Sequence, residues 1–234
     1  MHDQRDEAAA LNNAEWCAAV WRSHGLPVER AQGLWFCAGA TPQYYPNIVT
    51  VDRTADPKAQ AAFIADLCGA GFDEDFSVKD SFSCLDLGKA GLGILFEAQW
   101  LVRPVQAAPE ARAALDWRRI EDEAQLEAWE RVWRGSDQAA ERIFRPNLLA
   151  DPRAHVLGGY DAAGAIRAGG IAYDAAGVLG LTNLFGPAAS FVHGLEIAEP
   201  GRAMVCYAAG DELMQAERAG FQPLGRLRVW TRRR

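Results

Sequence analysis

No run of apolar residues in this 234-residue chain approaches the ~18 that a membrane-spanning helix needs. The longest weakly polar stretch, Ala165 to Gly186, is broken by Arg167 and Asp174, so no membrane partner is expected. Met1–Glu7 lacks a basic segment followed by an apolar one, and a secretory signal is not expected. Cysteine is sparse: Cys17, Cys37, Cys68, Cys84 and Cys206 are odd in number, and none forms a C-x-x-C pair. That excludes a paired disulfide framework and points to thiols of a reducing cytoplasm. The four histidines show no metal-ligand spacing, so no metal is expected. G-x-S-x-G is absent, which removes the nucleophile elbow of an acyl hydrolase. A basic stripe is missing too. The net charge is −7, with 8 Lys+Arg against 14 Asp+Glu in residues 1–103, and 16 against 17 thereafter. Nucleic acid is therefore not an expected partner, and Arg232–Arg234 reads as a solvated tail.

What is present is patterning. Half the residues are apolar, enough for one large or two small cores. Residues 104–115, with Pro104 and Pro109 and few large apolar side chains, suit a linker between units at 1–103 and 116–234. The two units echo one another. Leu11, Ala14, Ala18 and Trp21 fall on one helical face that closes with Val20-Trp21-Arg22-Ser23. Leu126, Trp129 and Trp133 repeat the spacing and close with Val132-Trp133-Arg134-Gly135. Lys89-Ala90-Gly91-Leu92 and Arg218-Ala219-Gly220-Phe221 each precede a strand-like run ending in Trp and Arg. A duplicated fold is the preferred reading.

The second unit is the more legible. Trp117–Ile120 reads as a strand and Asp122 to Trp133 as a helix. Strands are expected at His155–Tyr160, Ala165–Tyr173 and Val178–Phe185, joined by two copies of one turn, Asp161-Ala-Ala-Gly164 and Asp174-Ala-Ala-Gly177. A four-residue loop is expected at both. A short helix, a strand at Ala203–Ala208, a helix capped by Asp211 and stopped by Gly220, and a closing strand follow. The fold class is a mixed α/β (α+β) sheet.

On the stretch Ala203–Phe221, with Leu224-Gly225 and Val229-Trp230, the chain resembles the GNAT superfamily of acyl-CoA-dependent N-acyltransferases. The resemblance covers residues 116–234 by element order, and reaches residues 1–103 only through the repeat. It implies a tandem of two such units and transfer of an acyl group from acetyl-CoA, or another acyl-CoA, to a small-molecule or peptide amine. It also implies cofactor contacts from Leu184, Phe185, Gly186, Ala188, Ala189 and Ser190, at a parting of two strands and a helix N-terminus. Tyr207 and Asp211 are the candidate catalytic groups.

The chain departs from the family pattern twice. Leu184–Phe191 lacks the Gln/Arg-x-x-Gly-x-Gly/Ala phosphate loop, and Ala216 stands where a thiolate-protonating tyrosine often sits. A non-catalytic binding or regulatory protein of the same fold is therefore the alternative. Gly88-Lys89-Ala90-Gly91-Leu92-Gly93 has phosphate-loop glycine spacing, but a period-two run follows it where a helix is required. Cys206 and Tyr207 also read as core packing, Asp211 as a cap, His193 as surface or packing, and Tyr44 and Tyr45 as pocket-lining or ordinary strand-start residues.

Overall fold

The apolar stripe on the first helix buries as its spacing requires. In the computed structural model, which describes residues 4–69, 76–105, 115–136, 141–198 and 201–232, α1 spans Gln4–Ser23. Ala14, Ala18 and Trp21 are fully buried, while Leu11 at the edge of the stripe is exposed. Two indole N–H groups fix this helix: Trp16 donates to Tyr45 Oη at 3.0 Å and Trp21 to the Pro46 carbonyl at 3.1 Å. A buried tryptophan needs such an acceptor.

The elements that follow are β1 (Glu29–Ala31), β2 (Leu34–Phe36), β3 (Ile48–Thr50), α2 (Pro57–Gly69), β4 (Ser77–Asp80) and β5 (Leu92–Arg103). Then come β6 (Asp116–Arg119), α3 (Glu123–Arg134), β7 (Ala154–Tyr160), β8 (Ile166–Ala175) and β9 (Val178–Phe185). The chain closes with α4 (Ala188–Ala198), β10 (Met204–Ala208), α5 (Gly210–Arg218) and β11 (Gln222–Arg232).

Two compact units result. The first is residues 1–100 with Leu224–Arg234, and the second is Leu101–Pro223. The expected linker falls mostly on residues 106–114, outside the described residues.

In the first unit the strand order is β1-β2-β3-β4-β11-β5. β1, β2 and β3 run antiparallel; β3 and β4 are parallel, with Ile48 opposite Val78 and Val49 opposite Lys79. α2 supplies the crossover that a parallel pair needs. Ile48, Ile64, Phe76, Val78, Leu87 and Trp230 form its core. Arg232, expected in a solvated tail, instead ends β11 and donates to the Cys68 carbonyl at 2.9 Å; residues 233–234 lie outside the described residues. The Gly88–Gly93 segment is a single 3-10 turn followed by β5. A loop that enters a strand offers no helix N-terminus, so it is no phosphate loop.

In the second unit the order is β6-β7-β8-β9-β10, with the last residues of β5 beside β10. Asp122 caps α3 by accepting from the Gln125 amide at 2.8 Å, and Gln125 Oε1 accepts from the Glu121 amide at 3.0 Å. The pattern departs from a capping box in that Gln125 bonds the amide of Glu121, one residue before the cap, and not that of Asp122. Trp129 is fully buried and donates to the Leu157 carbonyl at 2.9 Å, tying α3 to one face of the sheet. α4 and α5 cover the other face through Phe191, Val192, Leu195 and Ala216.

The twin turns differ. Asp161 opens a five-residue loop, 161–165, one residue longer than expected, its carboxylate accepting from the amides of Ala163 and Ala165 at 2.9 and 3.0 Å. Asp174 stays in β8 opposite Leu179, and the hairpin is the two residues Ala176-Gly177, both at positive φ. The reason is Arg202, which binds the Asp174 carboxylate at 2.8 Å and keeps it from folding back onto its own loop.

Candidate functional site

β9 and β10 pair over only two residues. Leu179 lies opposite Met204 and Gly180 opposite Val205, with the Leu179 amide bonded to the Ala203 carbonyl at 2.9 Å. Beyond that register β9 runs on to Phe185 and β10 to Ala208 without pairing to each other. Along these ends the two strands therefore share no ladder with each other.

A bulge in β9 produces the parting. Between the pairs Gly169–Phe185 and Ile171–Thr182, β8 spends one residue, Gly170, while β9 spends two, Asn183 and Leu184. Asn183 sits at φ 54°, and the extra residue bends the strand. The Gly169-Gly170 pair makes the bend possible. A Cβ on Gly169 would lie 2.5 Å from Trp129 Nε1 and 2.6 Å from the Phe185 ring. One on Gly170 would lie 2.4 Å from Leu184 Cδ2 and 2.8 Å from Phe191. Phe185 packs edge-on to Trp129 at 5.4 Å, which anchors the end of β9 to α3.

The chain then turns sharply at Gly186, whose φ is 77° and whose absent Cβ would sit 2.7 Å from the Arg167 carbonyl and the Ala168 Cβ. Only glycine fits there. Pro187 precedes α4, and the Phe191 amide bonds back to the Pro187 carbonyl at 3.4 Å. The amides of Ala188, Ala189 and Ser190 in the first turn thus have no intrahelical acceptor. The first turn of α4 holds no acidic residue. α4 is seated by Phe191, edge-on to Trp117 at 5.6 Å, and by Gly194, where a Cβ would lie 2.5 Å from the same indole.

Of the expected chemical groups, Cys206 and Tyr207 alternate across β10. Cys206 points into the α4–α5 core with Met204 and Ala208. Burial, with Glu212 adding to it, pushes its thiol up to about 12, so it is a core residue and no nucleophile. Tyr207 is half-buried on the face that carries α3. Asp211 is exposed in the first turn of α5; the N-cap is Ala209 instead, and no side chain caps the helix. Asp211 interacts with that helix end only as a first-turn acid. Ala216 packs inward, and its carbonyl accepts from the Phe221 amide at 3.1 Å as the chain leaves α5. Tyr45 is buried and Tyr44 exposed in a turn, and neither starts a strand. Among the described residues no group of three His, Cys, Asp or Glu is arranged to hold a metal ion.

The first unit carries the same parallel two-residue register between β3 and β4, but there the next residues are bridged. Thr50 Oγ1 accepts from the Ser81 amide at 2.7 Å. The N-terminus of α2 is likewise filled: Asp56 caps it, its carboxylate accepting from the Lys58 amide at 2.9 Å. Among the described residues, the second unit differs in having a parted edge followed by a helix entered through Pro187, whose own side chain cannot cap it.

Sequence reasoning put Leu184–Ser190 at the end of a strand and the start of a helix, where the structure has it, but missed Asn183 and the bulge. The adjacent glycines of β8, unusual inside a strand, were the available signal. It also missed Thr50 and Asp56, which look ordinary until their partners are known.

No protein-family model matches the chain, and no curated protein sequence is significantly similar to it. Solved structures do match. A GCN5-related N-acetyltransferase from Kribbella flavida aligns with 96% of this chain and 95% of its own, at 14% identity and a TM-score of 0.62. A putative acetyltransferase of the GNAT family from Novosphingobium aromaticivorans aligns with 92% and 97%, at 12% identity and 0.55. A GCN5-related N-acetyltransferase from Sphaerobacter thermophilus aligns with 96% and 92%, at 12% identity and 0.54. The chain has the GNAT fold, a mixed α/β sheet with helices, along nearly its whole length.

Proposed function

We propose that this protein is an acyl-CoA-dependent N-acyltransferase, built as a tandem of two GNAT-like units, and that the second unit holds the thioester. The observation that carries the reading is the two-residue register of β9 and β10, which leaves an open edge beside the N-terminus of α4. The residues present fit acetyl-CoA or a related acyl-CoA. The main chain of Leu184 and Phe185 offers a strand edge to an amide-bearing pantetheine arm. The Gly186 turn directs the Ala188, Ala189 and Ser190 amides at the diphosphate, aided by the helix dipole. Two charge-assisted amide contacts are worth ~3–6 kcal/mol, or roughly 10²–10⁴ in affinity. That is enough to replace part of the missing family loop.

In the transfer, an amine nitrogen attacks the thioester carbonyl, the C–S bond breaks, and the sulfur leaves as a thiolate that takes up a proton. Ala216 is a packed core residue and offers no proton. Tyr207, the hydroxyl carried by β10 beyond its last pair, takes that role in this proposal. Asp211, exposed three residues past β10, would draw a cationic amine and accept its proton through water. Such an acid is worth ~10²–10⁴ in rate where it operates.

The test is calorimetric titration of the chain with acetyl-CoA, followed by release of free thiol across a panel of amines. Binding with thiol release that falls on Tyr207→Phe supports transfer. Binding without release from any amine, or no binding at millimolar acetyl-CoA, would overturn transfer and favour the non-catalytic alternative.

A further inference from the structure

An arm that enters between the parted ends of β9 and β10 can go no further than the pairs Leu179–Met204 and Gly180–Val205, where the strands close. The first residues past that closure are Leu181 and Cys206, and the next are Thr182 and Tyr207. Leu181 and Cys206 both pack into the α4–α5 core. Alternation therefore turns Thr182 and Tyr207 to the other face, toward α3, where both are half-buried. A thioester drawn up to the closure has a threonine on its β9 side and a tyrosine on its β10 side. The Thr182 hydroxyl donates to Asn183 Oδ1 at 3.0 Å, within the bulge, and makes no other hydrogen bond among the described residues. With its one proton engaged, Thr182 Oγ1 can accept from an N–H but cannot donate to a carbonyl.

The same face is aromatic. Phe185 stands three residues beyond Thr182, edge-on to Trp129 at 5.4 Å. Trp133 stacks on Trp129 at 6.5 Å, and Phe144 packs edge-on to both. Trp129 and Phe144 are fully buried, so Phe185 and Trp133, both half-buried, are the rings of this cluster that solvent reaches. The three carboxylates of α3, Glu123, Glu127 and Glu130, are each paired with an arginine. A second ammonium group would find no unpaired carboxylate on that helix, whereas an aromatic body would find rings to pack on. Resting on the acyl-transfer reading, we infer that the acceptor is a primary amine on an aromatic body with no second positive charge, and that Thr182 orients it by accepting one N–H. The nitrogen lone pair is then turned to the thioester carbonyl. As the C–N bond forms and the C–S bond breaks, the N–H held by Thr182 stays in the amide product. The other proton leaves through water to Asp211, and the sulfur takes one from Tyr207.

The test measures thiol release by the full chain from acetyl-CoA with phenethylamine and with putrescine, beside calorimetric titration with acetyl-CoA alone. Phenethylamine is expected to have the higher kcat/KM, by roughly tenfold or more. Thr182→Val, which keeps the shape and loses the hydroxyl, is expected to lower kcat/KM for phenethylamine roughly tenfold or more with acetyl-CoA affinity unchanged. Thr182→Ser, which keeps the hydroxyl, is expected to retain most of the wild-type value. Trp133→Leu is expected to raise KM for phenethylamine more than for putrescine. A preference for putrescine, an undiminished rate in Thr182→Val, an equal loss in Thr182→Ser, or an equal change for both amines in Trp133→Leu would each overturn the assignment. In those cases thiol release leaves the acyl-transfer reading standing. Acetyl-CoA that fails to bind, or that binds and is never consumed, overturns that reading and this inference with it.

Discussion

The contrast between α2 and α4 yields a substitution that separates binding from stability. In the first unit Asp56 fills the helix N-terminus, its carboxylate 2.9 Å from the Lys58 amide. Pro187, exposed at the same position before α4, leaves that end open. Pro187→Asp copies the closed arrangement into the open unit. A good N-cap stabilises a helix by about 1 kcal/mol, which for a chain of this size corresponds to roughly 2–4 °C in melting temperature. The same carboxylate occupies a first-turn amide and sets a negative charge where a diphosphate is to bind. One lost charge-assisted contact costs ~1.5–3 kcal/mol, so acetyl-CoA affinity should fall roughly 10- to 150-fold, before any repulsion is added. Pro187→Asn, which caps without charge, should show the stability gain and a smaller loss. Calorimetry with acetyl-CoA and differential scanning fluorimetry on the three proteins read both effects. A higher melting temperature with undiminished affinity would refute the placement of the diphosphate on α4.

Two further outcomes follow from ionisable groups. Cys84 is exposed, yet burial of its thiol and the Asp80 carboxylate, 3.7 Å from Sγ, push it up to about 11. Against the ordinary value of 9.0, about 100-fold less thiolate is present at pH 8, so iodoacetamide should label Cys84 about 100-fold more slowly in the native than in the unfolded chain, as read by mass spectrometry. The Arg202 guanidinium holds the Asp174 carboxyl below its ordinary 3.8. A carboxyl lowered on folding contributes stability above its unfolded value and loses it as pH falls through the folded one. Asp174→Asn should therefore lower the urea midpoint at pH 7 by the equivalent of under ~1 kcal/mol, since both partners are about a third exposed, and the difference should shrink as pH falls through and below 3.8.

Local chemistry was legible without coordinates wherever a residue's partners lie within a few positions. Asp122 caps α3 through Gln125, the three-strand meander follows its alternation, and α5 ends at Ala219-Gly220 as the turn signal says. The Leu184–Ser190 segment could be picked out for the same reason, from the order of elements around it. The identical Asp-Ala-Ala-Gly segments mark where this stops: Arg202, 28 residues away, makes a different turn of the second.

The openness of the site was of that second kind. Whether two parallel strands part depends on a bulge set by the fit of Leu184, Phe185 and Trp129 over Gly169 and Gly170. Whether the matching pair in the first unit closes depends on one threonine meeting one amide 31 residues on. The sequence alone determined the second unit's helices and the class of sheet, because periodicity and backbone preference act over a few residues. Tertiary structure decided which edge stays open and which of the two like turns tightens. Those outcomes are set by close packing between segments far apart in the chain, where one methyl group more or less reverses the result.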